Sequence, residues 1–433
     1  MTMIDPIELA KRLIACPSIT PASGRVFDEL EEALLPIGFD VHRFVTGEAP
    51  DGPVENLVAM RGTGAPHFGF AGHLDVVPPG DNWASDPFVP VIEGGRLIGR
   101  GANDMKSAIA AFAAAASRVP EHRGTLSFLI TGDEEGPATF GTPAIIDWLA
   151  EHDLKPDMIL IGEPTSEAAI GDTIKIGRRG SVNLWIEVPG TQGHVAYPHR
   201  ADNPVGKLAR IVAALDALVL DAGNDSFPPS NLEFTDIGCP PGATNLIPRT
   251  ASARLNIRFN NLHRGSDLVR MVEEVVLAEA PGASVTAKIS GEAFLTPPGA
   301  LYDLVVSAIA DETGVKPALS TGGGTSDGRF LIALCPVVDF GLPNASMHKV
   351  GESAAVSDIE TSEKARVVVQ AVIHLIKGVD CQIVAESVEN SAQADILRAM
   401  GCDTVQGYVF AEPMYEDDFA AWIANADRKR SVA

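Results

Sequence analysis

The 433-residue sequence is poor in cysteine, in aromatic residues and in positive charge. Its five cysteines are scattered without a CxxC pair, which argues against a disulfide framework and a zinc-finger pattern. Aromatic residues make up only 6%, which suits a core of Ala, Val, Ile and Leu. Lys and Arg number 33 against 57 Asp and Glu, and this net charge of −24 argues against partners such as nucleic acid or an anionic membrane.

Long apolar runs are also missing, since no stretch approaches the ~18 residues of a membrane-spanning helix. The opening stretch MTMIDPIELAKRLIACPS carries charges where a signal peptide needs an apolar core. With the scattered cysteines, this predicts a cytoplasmic protein. A hydrophobic content of 45% indicates a folded chain that is too long for one core, so we expect two or more domains.

The apolar pattern predicts a layered α/β fold. Short apolar strands, such as those in ENLVAMRG, HFGFAGHLDVV, TLSFLIT and DMILIGEP, alternate with helices at about 5–15, 26–36, 105–117 and 142–152. From Gly177 the strands alternate apolar and polar residues, as in GSVNLWIEV and SARLNIRFN, and each is followed by a helix. The first pattern returns near Leu301, which predicts an inserted two-layer α+β domain at 178–291 within a body of 1–177 and 292–378.

Polar residues at or just after strand ends stand where open α/β sheets place their sites. They are His73, Asp75, Asp104, Glu134, Glu135, Glu163 and His348. His73 and Asp75 point to one face of an extended chain, so Asp75 can accept a hydrogen bond from a metal-bound His73. Singly, Asp104 also suits a helix N-cap, and the acidic run 133–135 suits a solvated turn. Together the mixed N/O donors predict a zinc site, with cobalt or manganese tolerated and enough ligands for two ions that share a carboxylate.

Seven motifs occur in the order typical of one enzyme family. They are GHLDVVPPGDNW, GRGANDMKSA, TGDEEG, IGEPT, GTQGHVAYPHRADNP, STGGGTSDGRF and NASMHKVGE. Over about residues 4–378 the chain resembles the di-zinc amidohydrolases that include aminoacylase and carboxypeptidase. It is most similar to bacterial members that hydrolyse N-succinyl-L,L-2,6-diaminopimelate in lysine and cell-wall precursor synthesis. The alternatives are a deacylase for acetylornithine or an N-acyl amino acid or dipeptide, and a non-catalytic scaffold with a binding tail.

The resemblance implies a di-zinc exopeptidase-like fold with two Zn²⁺ per subunit of a homodimer, in which the inserted domain at 178–291 is the dimerisation (lid) domain. Asp104 would bridge the ions, with His73 and Glu163 on one and Glu135 and His348 on the other. The resemblance also implies a non-proline cis peptide after Asp104 and a position for Asp75 behind His73. Glu134 would be the general base, and His194 of the partner subunit would stabilise the oxyanion.

The resemblance further implies a pocket for a small dicarboxylate substrate. Its residues would be Arg178, Asn245, Arg258, Gly324, Thr325 and Asn344. Cations and backbone donors of this kind suit carboxylate recognition. The stretch TGGGTSD lacks the lysine of a P-loop and the spacing of a dinucleotide fingerprint, which excludes a nucleotide site there.

The last segment, 379–433, has a different character. It resembles the end of an EAL-type cyclic-di-GMP phosphodiesterase barrel, with Glu386 and Gln406 at matching positions. The EAL signature, a paired-aspartate motif and most of the barrel strands are missing from the sequence, so this segment alone cannot form the barrel. We therefore expect a loosely attached, non-catalytic appendage whose removal after Gly378 leaves the main activity unchanged. The alternative is an accessory subdomain that packs on the body or completes a barrel with a partner.

Overall fold

The computed structural model describes residues 3–119 and 122–359, and the backbone of two short parallel strands at 384–385 and 404–405. Apart from those strands, the EAL-like tail lies outside the described residues. So does most of the helix at 358–378 that the apolar pattern of DIETSEKARVVVQAVIHLIKG predicts. The helices predicted at 5–15, 26–36, 105–117 and 142–152 are found within about two residues of those bounds, whereas the short helix Gly328–Leu331 was not predicted. The described helices are α1 (Pro6–Ile14), α2 (Arg25–Leu34), α3 (Lys106–Ser117), α4 (Thr142–Glu151), α5 (Pro204–Asp216), α6 (Gly265–Glu279), α7 (Ala300–Thr313), α8 (Gly328–Leu331) and α9 (Val356–Ile359).

The strands form one large sheet, one smaller four-stranded sheet and several short pairings. They are β1 (Asp40–Thr46), β2 (Val54–Thr63), β3 (His67–His73), β4 (Val91–Glu93), β5 (Arg96–Ile98), β6 (Gly124–Thr131), β7 (Met158–Ile161), β8 (Thr173–Lys175), β9 (Gly177–Arg178), β10 (Gly180–Pro189), β11 (Gly193–His194), β12 (Asn231–Gly238), β13 (Leu246–Ile247), β14 (Thr250–Phe259), β15 (Ser284–Gly291), β16 (Phe294–Leu295), β17 (Ala318–Ser320), β18 (Val337–Asp339), β19 (Ser353–Ala355), β20 (Val384–Ala385) and β21 (Thr404–Val405).

The large sheet is mixed, with the strand order β1, β2, β6, β3, β7, β18, β8, β17. Its four central strands, β6, β3, β7 and β18, run parallel. Their carboxyl ends therefore meet at one edge of the sheet, where ligands bind in open α/β folds. β3 ends at His73, and the chain following β6, β7 and β18 carries Glu135, Glu163 and His348, respectively, whereas Asp104 follows β5 of a smaller sheet.

Helices cover both faces of this sheet, as the apolar sequences of its central strands require. Every residue of β3 and β6 is buried. α1, α2, α3 and α7 pack on one face, and α4 and α8 on the other. All twelve residues of α3 are buried, which explains its alanine-rich sequence and fixes the start of the helix directly beside Asp104.

The second sheet is antiparallel, in the order β12, β14, β10, β15. The buried side chains of β10 and β14 alternate and pack against α5 and α6. The predicted mixed-sheet body and two-layer second unit are confirmed. β12 and β15 were not expected from the sequence because both lie at sheet edges, and most of their residues are at least partly exposed, which blurs the alternation.

Two short strands join this unit to the body. β9 and β16 pair antiparallel, with Arg178 opposite Phe294, so the chain leaves and rejoins the large sheet at neighbouring positions. Within the ranges described, no helix has the length and hydropathy to cross a bilayer.

Candidate metal centre

Asp104 lies between two histidines that come from opposite ends of the body sequence. Its Oδ1 is 3.1 Å from Nε2 of His73, and its Oδ2 is 3.2 Å from Nε2 of His348. Asp104 does not cap α3, since the N-cap position is occupied by Met105 and has no side-chain cap hydrogen bond. The peptide bond between Asp104 and Met105 is cis, as the family resemblance implied. The aspartate is thus placed to share its two oxygens between two ions.

Three glutamates complete the cluster. Oε1 of Glu135 is 2.8 Å from Nε2 of His348, and Oε1 of Glu163 is 3.7 Å from Nε2 of His73. Ligand atoms of His73, Glu134 and Glu163 also lie within 4.8 Å of one another, so the first glutamate of the pair faces the same centre. The structure therefore brings together all five ligands and the base that the sequence analysis named.

Asp75 holds both sides of this cluster. Nδ1 of His73 donates to the backbone oxygen of Asp75 at 2.9 Å and lies 3.4 Å from its carboxylate. The same carboxylate accepts the backbone N–H groups of Glu134 and Glu135 at 3.2 and 2.9 Å. Asp75 thus fixes the tautomer of a histidine that could bind metal through Nε2, and it orients the acidic pair.

Burial is the largest single influence on the pKa values of Glu163, Glu134 and Asp104, and neighbouring charges and hydrogen bonds come second. Desolvation, reinforced by Asp104 and Glu134, raises the pKa of Glu163 well above its ordinary value. Desolvation and the nearby Asp327 raise the pKa of Glu134 to about 8. Burial opposes ionisation of Asp104, but hydrogen bonds from His348 and His73 outweigh it and lower the pKa of Asp104.

These residues fit a pair of divalent cations. Ligand atoms of His73, Asp104 and Glu135 lie within 4.8 Å of one another, as in the group that contains Glu163. Imidazole and carboxylate donors suit zinc, cobalt or manganese, and positive ions would relieve the carboxylate crowding.

Comparison with known families agrees with this geometry. The sequence model of Peptidase family M20/M25/M40 matches residues 69–372. The chain belongs to this family. The chain is 63% identical to a succinyl-diaminopimelate desuccinylase from Sphingopyxis alaskensis, over 82% of this chain and 95% of that protein. It is 62% identical to the protein of the same name from Rhizorhabdus wittichii, again over 82% and 95%. A model of the EAL domain also matches residues 349–413.

Solved structures of M20 peptidases share the fold. A tripeptidase from Staphylococcus aureus superposes with a TM-score of 0.71 at 19% identity, covering 87% of this chain and all of that one. A dinuclear metal-binding M20 peptidase from Bacillus subtilis gives 0.64 at 14% identity, covering 86% and 97%. At these identities the likeness concerns the fold alone.

A cleft of about 590 Å³ opens beside the metal centre of this M20 chain. Glu134, Glu135 and Thr325 line it from the body, and Arg258 lines it from β14 of the second unit. Lys288 on β15 and Arg329 on α8 add two more cations, which the sequence did not indicate. A cationic wall thus faces the acidic metal ligands.

The other four predicted pocket residues are not among those that line this cleft. Arg178 is buried and makes an ion pair with Asp339 at 2.6 Å, and its Nη1 donates to the backbone oxygen of Gly324 at 3.1 Å. Asn245 lies beside His194, with Nδ2 at 3.4 Å from Nε2. The backbone N–H of Asn344 donates to the backbone oxygen of Ser166 at 2.9 Å. Arg178 therefore shapes the glycine-rich loop, and a substrate contact for it stays a prediction.

His194 stands apart from the centre in this chain. It is exposed on β11, its Nδ1 accepts the backbone N–H of Ala196 at 3.1 Å, and its ring neighbours Tyr197. None of its hydrogen bonds in the described part of the chain reaches a proposed metal ligand.

Gly341 provides a test of how tightly the segment after β7, which carries Glu163, is packed. A Cβ at Gly341 would overlap the backbone carbonyl of Glu163. We expect Gly341→Ala to lower the free energy of unfolding by about 1–3 kcal/mol, since the backbone must shift, and to weaken zinc binding because Glu163 moves with it. Urea unfolding and zinc titration measure the two effects.

The control is Gly238→Ala, because a Cβ there meets no atom within 4 Å. A Gly341→Ala protein with the stability and zinc affinity of this control would contradict the tight packing argued for Glu163.

Proposed function

We propose that this chain is a metal-dependent succinyl-diaminopimelate desuccinylase, which hydrolyses N-succinyl-L,L-2,6-diaminopimelate to succinate and L,L-diaminopimelate. The observation that carries the proposal is Asp104 between His73 and His348, with Glu134 on the adjoining cationic cleft. The names and identities of the relatives support this substrate. We place the activity in the cytoplasm, where lysine and cell-wall precursors are made.

Direct assay tests the proposal. Zinc-loaded protein should release succinate from N-succinyl-L,L-diaminopimelate with a much higher kcat/KM than it shows for release of acetate from N-acetylornithine. Removal of metal by a chelator should abolish turnover, and added zinc should restore it. A preference for N-acetylornithine would favour the related deacylase instead.

We assign two Zn²⁺ ions to the centre, with Co²⁺ or Mn²⁺ as functional substitutes. His73 and Glu163 would hold one ion and Glu135 and His348 the other, with Asp104 shared. When bound, the ions lower the pKa of a water molecule and polarise the amide carbonyl of the substrate. The distances around Asp104 support this division of ligands.

Glu134 moves the proton in the proposed reaction. Its carboxylate accepts a proton from the attacking water and passes it to the departing amine as the C–N bond breaks. Burial and the nearby Asp327 raise the pKa of Glu134, and bound cations would lower that pKa toward the ionised form that a base requires. Asp75 orients Glu134 by accepting a hydrogen bond from its backbone N–H, and it orients His73 by accepting one from its ring Nδ1.

The oxyanion that forms on the substrate needs a hydrogen-bond donor. We assign this role to His194 of a second copy of the chain, which makes the active form a homodimer. The exposure of His194 and its separation from the ligands of its own chain support supply by a partner. Asn245, which is a predicted pocket residue, lies beside His194 and is also exposed, so a partner subunit could supply both.

Arg258 is our candidate for recognising the succinyl carboxylate. It lines the cleft in the described chain without a carboxylate partner, and burial together with Arg179 and Arg329 lowers its pKa. We expect Arg258→Gln to reduce kcat/KM for the succinyl substrate roughly 10–100-fold, the loss expected for one charge-assisted hydrogen bond, and to change the N-acetyl analogue little.

A matched control lies on the same strand. Arg254 is exposed and bonds Thr235, so Arg254→Gln should leave both kcat/KM values near wild type. If Arg258→Gln impaired both substrates equally, its contact would be with a carboxylate that the two substrates share.

A further inference from the structure

Glu352 is a fully buried carboxylate that lies four residues after His348. Its Oε1 accepts the backbone N–H groups of Asn103 and Asp104 at 2.8 and 3.0 Å. Its Oε2 accepts a hydrogen bond from Nη1 of Arg100 at 2.6 Å. Since each oxygen is already engaged, Glu352 is not a spare metal ligand. Two of the three hydrogen bonds that Glu352 accepts come from the backbone at Asn103 and Asp104.

The loop that carries His348 is fastened at both ends to this same backbone. At one end, Nδ2 of Asn103 donates to the backbone oxygen of Pro343 at 2.8 Å. At the other end, Glu352 makes the two bonds to Asn103 and Asp104. The loop between them brings Nε2 of His348 to 3.2 Å from Asp104.

Arg100 offsets part of the desolvation cost of the buried Glu352 carboxylate. It is itself buried, and it also donates to the backbone oxygen of Pro79 at 3.1 Å and lies over the ring of Trp83. A buried carboxylate without such a partner would be costly. Burial raises the pKa of Glu352, whereas the hydrogen bonds that it accepts from Asp104, Asn103 and Arg100 favour the charged form and oppose this rise.

We propose that Glu352 is a positioning residue of the metal centre. Its carboxylate fixes the backbone at Asn103–Asp104 and the far end of the His348 loop, and so sets the separation between the shared aspartate and the histidine of the second ion. The inference rests on the proposed dinuclear centre. Loss of such an outer partner typically lowers metal affinity 10–100-fold.

Two double variants separate the backbone anchor from the buried charge. Arg100→Met with Glu352→Gln removes both charges and keeps an oxygen that can accept from Asn103 and Asp104. Arg100→Met with Glu352→Leu removes the charges and the acceptor together. Neither leaves one buried ion without its partner. Glu93→Gln, an exposed glutamate on β4, is the neutral control.

Zinc affinity is measured on the full chain by competition with a chelator, and the coordination of Co²⁺ by visible absorption. We expect the Gln variant to bind zinc about as tightly as wild type, with an unchanged cobalt spectrum. The Leu variant should bind one of its two ions about 10–100-fold more weakly, with an altered spectrum. Equal affinities and spectra in the two variants would overturn the positioning role.

Hydrogen exchange of the metal-free wild-type protein gives a test that needs no variant. The amides of Asn103 and Asp104 should exchange as slowly as those within α3. Free exchange of these two amides would contradict the proposed anchor. If the Leu variant does not fold, this measurement alone tests the positioning role of Glu352. Wild-type protein that takes up no zinc would instead contradict the proposed function.

Discussion

Glu134→Gln is expected to lower kcat roughly 10²–10⁴-fold, the usual contribution of a general base, while about two zinc ions per chain are retained. The amide has the shape of the carboxylate but cannot accept the proton of the attacking water. The five proposed ligands are untouched, and the backbone bond from residue 134 to Asp75 is unaffected by the side chain. Steady-state kinetics and metal analysis of the same preparation check both parts.

The comparison variant is Glu151→Gln, an exposed glutamate at the end of α4, which should behave as wild type. Loss of one zinc from Glu134→Gln would show that Glu134 is a ligand. Substantial remaining kcat would show that another group is the base.

Complementation between two inactive proteins is the second large effect that we expect. His194→Ala should lower kcat roughly 10²–10³-fold through loss of an oxyanion donor. Mixed with Glu134→Gln under conditions of subunit exchange, it should recover up to about one quarter of wild-type activity, since half of the dimers are mixed and one of their two sites is complete. In that site the base comes from one subunit and His194 from the other.

The control mixes Glu134→Gln with a protein that carries both substitutions, because no combination of these chains forms a complete site. Recovery in the first mixture and none in the second would support supply by the partner. An unchanged, low activity in the first mixture, after exchange has been verified by labelled subunits, would contradict it.

The metal centre could be predicted because its ligands obey rules that are visible along the chain. His73 and Glu163 lie at or just after apolar strands, and parallel strands bring their carboxyl ends to one edge. Asp104 was ambiguous, since an aspartate before a helix also suits an N-cap. Two structural facts distinguish the roles: no side chain caps α3, and His348, 244 positions away along the chain, approaches Asp104 in space.

Residues that act through the backbone could not be predicted in this way. Glu352 ends the motif NASMHKVGE, but its role is not visible in the sequence, because two of its partners are main-chain N–H groups and the third, Arg100, lies 252 positions away. Lys288 was missed along with the edge strand on which it lies. Arg178 is paired with Asp339, 161 positions away, so its burial as an ion pair has no local signature.

The antiparallel pairing of β9 with β16 has an evolutionary consequence. All five proposed metal ligands and the proposed base lie outside the segment between these strands, whereas Arg258, Lys288 and His194 lie within it. Because the segment leaves and rejoins the body at adjacent positions, it can be exchanged for another without breaking the large sheet. Substrate range can therefore diverge by replacement of one module, as long as the new module supplies the oxyanion donor assigned to His194, while the metal ligands and the base are inherited with the body.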